Sequence, residues 1–96
     1  MTARRRGCLL GALQQAHRAA PGQTVALDVL HKYLLAIGLR PTLHQVQLDI
    51  EWLVDQSLAE VTRLDDTVFA RISRHGQEAA ARRVTVAGLD VSELGD

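Results

Sequence analysis

Aromatic residues, cysteines and long apolar runs are all scarce in this chain of 96 residues. Tyr33, Trp52 and Phe69 are the only aromatic residues, so the core must rest on the Leu, Val, Ile and Ala side chains that dominate its 47% hydrophobic content. No apolar run approaches the roughly 20 residues that a membrane-spanning helix needs. Polar residues soon interrupt the short CLLGAL stretch, so we expect no signal peptide and a cytoplasmic protein without a membrane partner.

Metal ligands and catalytic motifs are also scarce, which limits the kinds of site that the chain can form. Cys8 is the only cysteine, which excludes an intramolecular disulfide and a zinc site built from several thiolates. Leu9 and Leu10 beside it favour a small buried side chain over a reactive thiol. No glycine-rich phosphate loop, H-E-x-x-H or nucleophile-elbow motif occurs, so we expect no enzyme. We also expect neither cofactor nor metal site, because the histidines are scattered: His17, His31, His44 and His75.

Charge is balanced overall but unevenly distributed. The formal net charge is zero at pH 7. Residues 1–40 and 71–83 are predominantly basic, whereas residues 41–70 and the C-terminal end are predominantly acidic. A strong non-specific DNA-binding protein would be uniformly basic. Any contact with DNA must therefore come from a local patch.

Apolar residues at helical spacing predict three helices, over about residues 3–20, 27–37 and 43–56. Gly38 can end the second helix, because glycine enters the left-handed conformation without a steric penalty. Thr42 can begin the third, since its hydroxyl can accept a hydrogen bond from a backbone N–H of the first turn. The expected core face of the third helix is Leu43, Val46, Ile50, Leu53 and Val54. On the first helix, Arg6, Gln14, Gln15 and Arg18 are expected to face water.

Alternating side chains over residues 58–62 and 67–72 predict a β-hairpin with one buried face. Asp65-Asp66 marks its reversal, because aspartate tolerates turn conformations. Residues 23–26 form an extended link that could pair with this hairpin.

Ser73 can cap a short last helix over about residues 74–82. The end of the chain, residues 84–96, has turn-prone glycines, no clear period and net acidic charge. We therefore predict one domain over residues 1–83 followed by an acidic, flexible tail.

This order of elements, and the segment FARISRHGQEAA in particular, resembles the winged helix-turn-helix superfamily. The likeness covers residues 4–83, and Ile72-Ser73-Arg74-His75-Gly76 stands where relatives often read leucine, threonine, a charged pair and glycine. It is nearest to small bacterial or prophage-encoded ArsR-like regulators. The resemblance implies an α+β, mainly helical fold with three helices, a β-hairpin wing and a short C-terminal helix. Residues 42–56 lack the cysteine pair of metal-sensing members, so it does not imply metal sensing.

The resemblance also implies a DNA-binding transcriptional regulator. In a helix-turn-helix, residues near the start of the recognition helix approach base edges. Glutamine can pair with adenine and threonine can contact the thymine methyl group. The expected partner is double-stranded DNA. Arg40, Thr42, His44, Gln45 and Gln47 would read or flank the major groove, while Arg63, Arg71 and Arg74 would contact phosphates. Asp49, Glu51 and Asp55 would repel the phosphate backbone unless only the tip of the helix enters the groove.

The alternative is a winged helix that acts as a protein-interaction module, for example in a phage assembly, without binding DNA. Leu48 and Trp52 lie four residues apart on the less apolar side of the third helix and would form the partner interface. Trp52 could instead complete the core against the wing. A homodimer is a further expected assembly, with the first helix, rich in small residues, as its surface.

Overall fold

A computed structural model describes residues 2–94 of the chain. Within that range the chain forms four helices and three strands, and about half of its residues are helical. The elements are α1 (Thr2–Ala19), β1 (Val25–Ala26), α2 (Leu27–Ala36), α3 (Leu43–Asp55), β2 (Ala59–Leu64), β3 (Thr67–Ile72) and α4 (Arg74–Ala80). The predicted α+β class is confirmed, and every predicted element is present.

The turns between elements follow the predicted capping chemistry. Gly38 has a φ of +93°, the left-handed conformation that ends α2. Asp65 has a φ of +56° at the reversal of the hairpin. The Ser73 hydroxyl accepts a hydrogen bond from the Gly76 N–H at 2.9 Å and caps α4. Local sequence signals therefore set where these elements begin and end.

The three strands form an antiparallel sheet in the order β1-β3-β2. The link after α1 pairs with the hairpin as predicted, with Ala26 opposite Phe69. Ala59 lies opposite Ile72 at the base of the hairpin, and Leu64 lies opposite Thr67 next to its turn. β3 is therefore the central strand, and β2 has a neighbour on one side only.

The expected buried face of the hairpin is present on β3 but not along β2. Ala70 and Ile72 are buried, whereas Ala59 is the single buried residue of β2. Residues 60–64 are all exposed, so the packed body does not cover this part of β2. The prediction was wrong for β2 because period-two alternation shows which residues share a face, not whether anything covers it.

The core lies between α1, α2, α3 and the base of the sheet. α3 contributes Val46, Ile50 and Leu53 as predicted, but Leu43 is 46% exposed and Asp49 is only 2% exposed. The buried stripe of α3 therefore contains a carboxylate that the apolar pattern did not predict. The largest fully buried side chains are Leu9, Leu10, Leu13, Leu30, Leu34, Val46, Ile50, Leu53 and Leu58.

Residues 84–94 pack against α1 and the core, which differs from the predicted flexible tail. The Asp90 N–H donates to the Ala3 carbonyl at 3.0 Å. The Arg82 guanidinium donates to three carbonyls of the segment at distances of 2.8 to 3.2 Å. The segment has no regular period, so its apolar side chains gave no signal of burial: Val84, Val86, Leu89 and Val91. The domain boundary at residue 83 stays a prediction, and residues 95 and 96 lie outside the described range.

The approach of this segment to α1 requires glycine at one position. A Cβ on Gly7 would lie 1.7 Å from the Asp90 carbonyl oxygen, a backbone atom that cannot rotate away. A Cβ on Gly11 would lie 2.4 Å from Leu94 Cδ2, the end of a side chain that can move. The two glycines of α1 therefore differ in how much an added methyl group disturbs the packing.

We predict that Gly7→Ala lowers the free energy of unfolding by about 2 kcal/mol relative to Gly11→Ala. Both substitutions gain the same helix propensity, about 1 kcal/mol, so the difference reports the clash with Asp90. Urea denaturation of both variants measures it, and limited proteolysis should cleave residues 84–94 faster in Gly7→Ala. Equal stability of the two variants would show that the segment does not need this close approach.

Candidate interaction surface

His44, Leu48, Glu51 and Asp55 form the surface of α3 that points away from the core. They recur at spacings of three and four residues, and all four are exposed. We call these four residues the outer face of α3. From its N-terminal to its C-terminal end, the helix therefore presents an imidazole, an apolar side chain that is 49% exposed, and two carboxylates.

Two of the predicted base-reading side chains are occupied in capping α3. Thr42 Oγ1 accepts a hydrogen bond from the Gln45 N–H at 3.1 Å, and Gln45 Oε1 accepts one from the Thr42 N–H at 2.9 Å. This reciprocal pair is a capping box, which satisfies two orphan donors of the helix start. Bidentate pairing of Gln45 with adenine needs the same amide oxygen, so capping and base reading compete.

The other predicted major-groove residues remain accessible to different degrees. Arg40 is exposed in the turn before α3, where it lines a shallow hollow of about 190 Å³ together with Arg5. His44 is exposed on the first turn. Gln47 is half-buried and faces the hairpin. Arg40 and His44 are therefore the two that stand exposed at the N-terminal tip of α3.

Asp49 points into the protein, away from the outer face. Its carboxylate accepts two hydrogen bonds from the Arg5 guanidinium, and Arg6 Nε lies 3.8 Å from the second carboxylate oxygen. The Arg6 guanidinium stacks over the Trp52 ring at 4.1 Å from the centroid and donates to the Gly88 carbonyl at 3.2 Å. We call Arg5, Arg6, Asp49 and Trp52 the α1–α3 ion cluster.

Sequence reasoning missed this cluster and placed Arg6 in water and Asp49 among the acids that would repel DNA. The available signal was the position of Asp49 on the apolar stripe of α3, one residue before Ile50. A carboxylate there is tolerated only with a cationic partner, because an unpaired buried charge is costly. The partners lie on another helix, so spacing along α3 could not identify them.

The predicted partner pair Leu48 and Trp52 is divided by this packing. Leu48 is exposed, whereas Trp52 is half-buried, with one face of its ring covered by Arg6. A Cβ on Gly88 would lie 3.0 Å from the Trp52 ring, so the C-terminal segment also approaches it closely. Trp52 therefore takes part in packing within the chain, and the assignment of the pair to a partner interface stays a prediction.

The three predicted phosphate-binding arginines do not converge. Arg63 lies opposite Val68 on one face of the hairpin, and Arg71 lies opposite Glu60 on the other face, because side chains alternate along β3. Arg71 Nε also forms an ion pair with Glu60 at 3.1 Å. Arg74 begins α4 at the base of the hairpin, roughly 20 Å of strand away from the turn at Asp65.

A groove separates the C-terminal half of α3 from the hairpin. It has a volume of about 150 Å³, and we call it the wing groove. Valines from α3, β2 and β3 line its floor, while charged residues stand on its walls. Its lining includes Val54, Val61, Val68, Glu51, Asp55 and Arg63. A second hollow of about 390 Å³ adjoins it at the base of β2 and shares Val54 and Val61.

The electrostatic character of this surface is negative. The last turn of α3 holds no basic residue, although the carbonyl end of a helix carries partial negative charge and favours cations. Glu51 and Asp55 add two carboxylates at that end. Among residues 2–94, no salt bridge involves either of them or the acids Asp65 and Asp66 at the hairpin turn. These carboxylates are therefore available to form ion pairs with positively charged groups of another molecule.

The described residues give little support for a metal site, a reactive cysteine or a membrane-spanning helix. No group of three or more His, Cys, Asp or Glu residues within 2–94 is arranged to hold a metal ion. Burial raises the pKa of the Cys8 thiol, which is 8% exposed, so the reactive thiolate is disfavoured. In the same range, no helix has the length and apolar character needed to cross a membrane.

Comparison with known proteins returned no matching family model, no matching curated protein and no matching solved structure. The resemblance to winged helix-turn-helix regulators therefore stays a prediction from the sequence.

We predict that Asp49→Ala lowers the free energy of unfolding by about 3 kcal/mol, because it leaves the Arg5 and Arg6 guanidinium groups largely buried without their carboxylate. Asp55→Ala removes an exposed carboxylate from the same helix and should change the free energy of unfolding by less than about 0.5 kcal/mol. Urea denaturation followed by Trp52 fluorescence measures both variants. A similar small effect of the two substitutions would mean that the cluster does not hold α1 against α3.

Proposed function

We propose that this chain is a winged-helix domain that binds a partner protein with a basic surface through α3 and the hairpin. The order of elements supports the winged-helix assignment. α2 and α3 are joined by a short turn that contains Gly38, and a two-stranded ribbon follows α3 at once. Two helices arranged in this way form a helix-turn-helix, and the hairpin corresponds to the wing.

The exposed carboxylates of Glu51 and Asp55 are the observation that favours a protein partner over DNA. They lie on the outer face of α3 beside the hairpin, at the negative end of the helix. Double-stranded DNA carries about one negative charge per 1.7 Å of its axis. A helix laid along the major groove would bring these acids towards phosphates, whereas a basic protein surface would be attracted to them.

Apolar contacts beside the carboxylates support the same assignment. Leu48 is 49% exposed at the middle of the outer face, and Val61 is 38% exposed beside the wing groove. Protein interfaces combine an apolar centre with a polar rim. Leu48 and the groove valines would supply the centre, and Glu51 and Asp55 the rim.

DNA recognition is the second candidate, and the exposed tip of α3 favours it. Arg40 and His44 stand at that tip, where the helix dipole also attracts phosphate. Burial of Asp49 removes the nearest acid from the outer face, so Glu51 comes next, roughly 10 Å along the helix from His44. In this case only the N-terminal tip of α3 would enter the groove.

A titration of the ¹⁵N-labelled chain with a random-sequence DNA duplex at 50 mM salt separates the two candidates. We predict no saturable amide shifts up to about 100 µM duplex, a range in which non-specific DNA-binding proteins bind. The double variant Glu51→Gln, Asp55→Asn should bind the duplex more tightly than the unchanged chain, because it removes the repulsion. Shifts of the unchanged chain confined to residues 40–47, lost in Arg40→Ala and weakened by salt, would favour DNA recognition instead.

The protein partner is tested in cells by a photo-crosslinking amino acid placed at Leu48, with Lys32 on α2 as the matched exposed position. We expect a discrete crosslinked product from position 48 that is absent from position 32. Combining the crosslinker at position 48 with Glu51→Lys and Asp55→Lys should abolish the product. A product that persists after this charge reversal would contradict binding through the acidic surface.

A further inference from the structure

β2 has an unpaired edge that nothing in the described chain covers. The sheet order β1-β3-β2 leaves one side of β2 without a neighbouring strand. Apart from the pairing with β3, no backbone hydrogen bond within residues 2–94 involves residues 59–64. Alternate residues of an edge strand direct their N–H and C=O groups outwards, so β2 offers a row of unused donors and acceptors.

β2 lacks most of the devices that protect an edge strand. Proteins shield such edges with charged side chains, proline, bulges or very short strands. β2 is six residues long, contains no lysine or proline, and pairs with β3 in a continuous register without a bulge. Its charged residues are Glu60, which is paired with Arg71, and Arg63. The edge therefore remains competent to pair with another strand.

The side chains around this edge define what could lie along it. On the side that faces α3, Val54 and Val61 line both adjoining hollows, and Glu51 and Asp55 stand beside them. On the opposite side of β2, Thr62 and Leu64 are exposed, and Leu64 is 65% exposed. One face next to the edge is thus apolar, with the Glu51 and Asp55 carboxylates and the Arg63 guanidinium at its rim, and the other is mildly apolar.

We propose that the partner contributes an extended segment that pairs as an additional strand with β2 and carries alternating basic and apolar residues. This inference rests on the proposed function, because it assumes that the α3–hairpin surface binds protein. Strand addition gains affinity from backbone hydrogen bonds and specificity from alternate side chains. Lysine or arginine side chains would lay their methylene groups over Val54 and Val61 and bring their charges to Glu51 and Asp55.

The probe is an acetylated and amidated octapeptide of alternating valine and lysine, titrated into the ¹⁵N-labelled full chain at low salt. We expect amide shifts concentrated in residues 59–64, together with slower amide hydrogen exchange in that strand. The matched octapeptide of valine and glutamate should cause no saturable shift, because two carboxylates, Glu51 and Asp55, face a single guanidinium, Arg63, along the groove. Absence of shifts with the valine–lysine peptide up to about 1 mM would overturn the inference.

Backbone methylation of the peptide tests strand pairing directly. Two further octapeptides carry N-methyl groups on every valine or on every lysine, which removes the N–H donors from one edge of the strand or the other. At least one of them should bind at least about tenfold more weakly than the unmethylated peptide. Equal affinity of all three would overturn strand addition while leaving a protein-binding surface in place.

Charge reversal tests where the basic residues lie. Glu51→Lys with Asp55→Lys should weaken binding of the valine–lysine peptide at least about tenfold. Glu78→Lys makes the same kind of charge change on α4, away from the groove, and should leave affinity within about twofold. Equal losses in both variants would overturn the assigned site. DNA-induced shifts at residues 40–47 without any response to the peptide would instead overturn the proposed function itself.

Discussion

The carboxylate of Asp49 joins parts of the molecule that are far apart in sequence. It lies on the buried stripe of α3 and is held by Arg5 from α1, while Arg6 continues from it to Trp52 and the Gly88 carbonyl. A charge removed from water in this way is stable only when its partners are fixed. Together with the buried Val46, Ile50 and Leu53, the cluster therefore fixes the rotation of α3, because turning the helix would carry the carboxylate away from both guanidinium groups.

That rotation determines what the outer face presents. With Asp49 turned inwards, the helical period places His44, Leu48, Glu51 and Asp55 outwards. Meanwhile, many arginines act within the chain: Arg5 and Arg6 at Asp49, Arg4 at Glu93, Arg71 at Glu60, and Arg82 at backbone carbonyls. The net charge is zero, but the two signs are used differently. Many arginines bind partners within the described chain, whereas Glu51 and Asp55 on the α3–hairpin surface do not.

The parts of this arrangement that sequence could predict are those with local causes. Gly38, Thr42 and Ser73 act on backbone groups within a few residues, and they marked the ends of helices correctly. Burial of Asp49 and packing of residues 84–94 depend on groups that meet only after folding. Arg5 lies 44 residues from its carboxylate, and neither helical period nor composition carries information about such pairs. The separation of Arg63 from Arg71 has a local cause instead, because side chains alternate along the strands and place these two on opposite faces of the hairpin.

The capping box gives Thr42 and Gln45 a structural role that competes with their predicted role in contacting DNA bases. Thr42 and Gln45 begin α3 by satisfying each other's backbone N–H groups, and those are the side chains expected to read bases. A ligand that recruits them must offset the lost caps, each of which contributes about 1 kcal/mol. β2 imposes no such cost, because the donors and acceptors along its free edge have no partner in the described chain to give up. Backbone donors and acceptors without a partner among residues 2–94 therefore lie on the edge of β2 rather than at the tip of α3. The carboxylates of α3 favour a positively charged ligand at that edge.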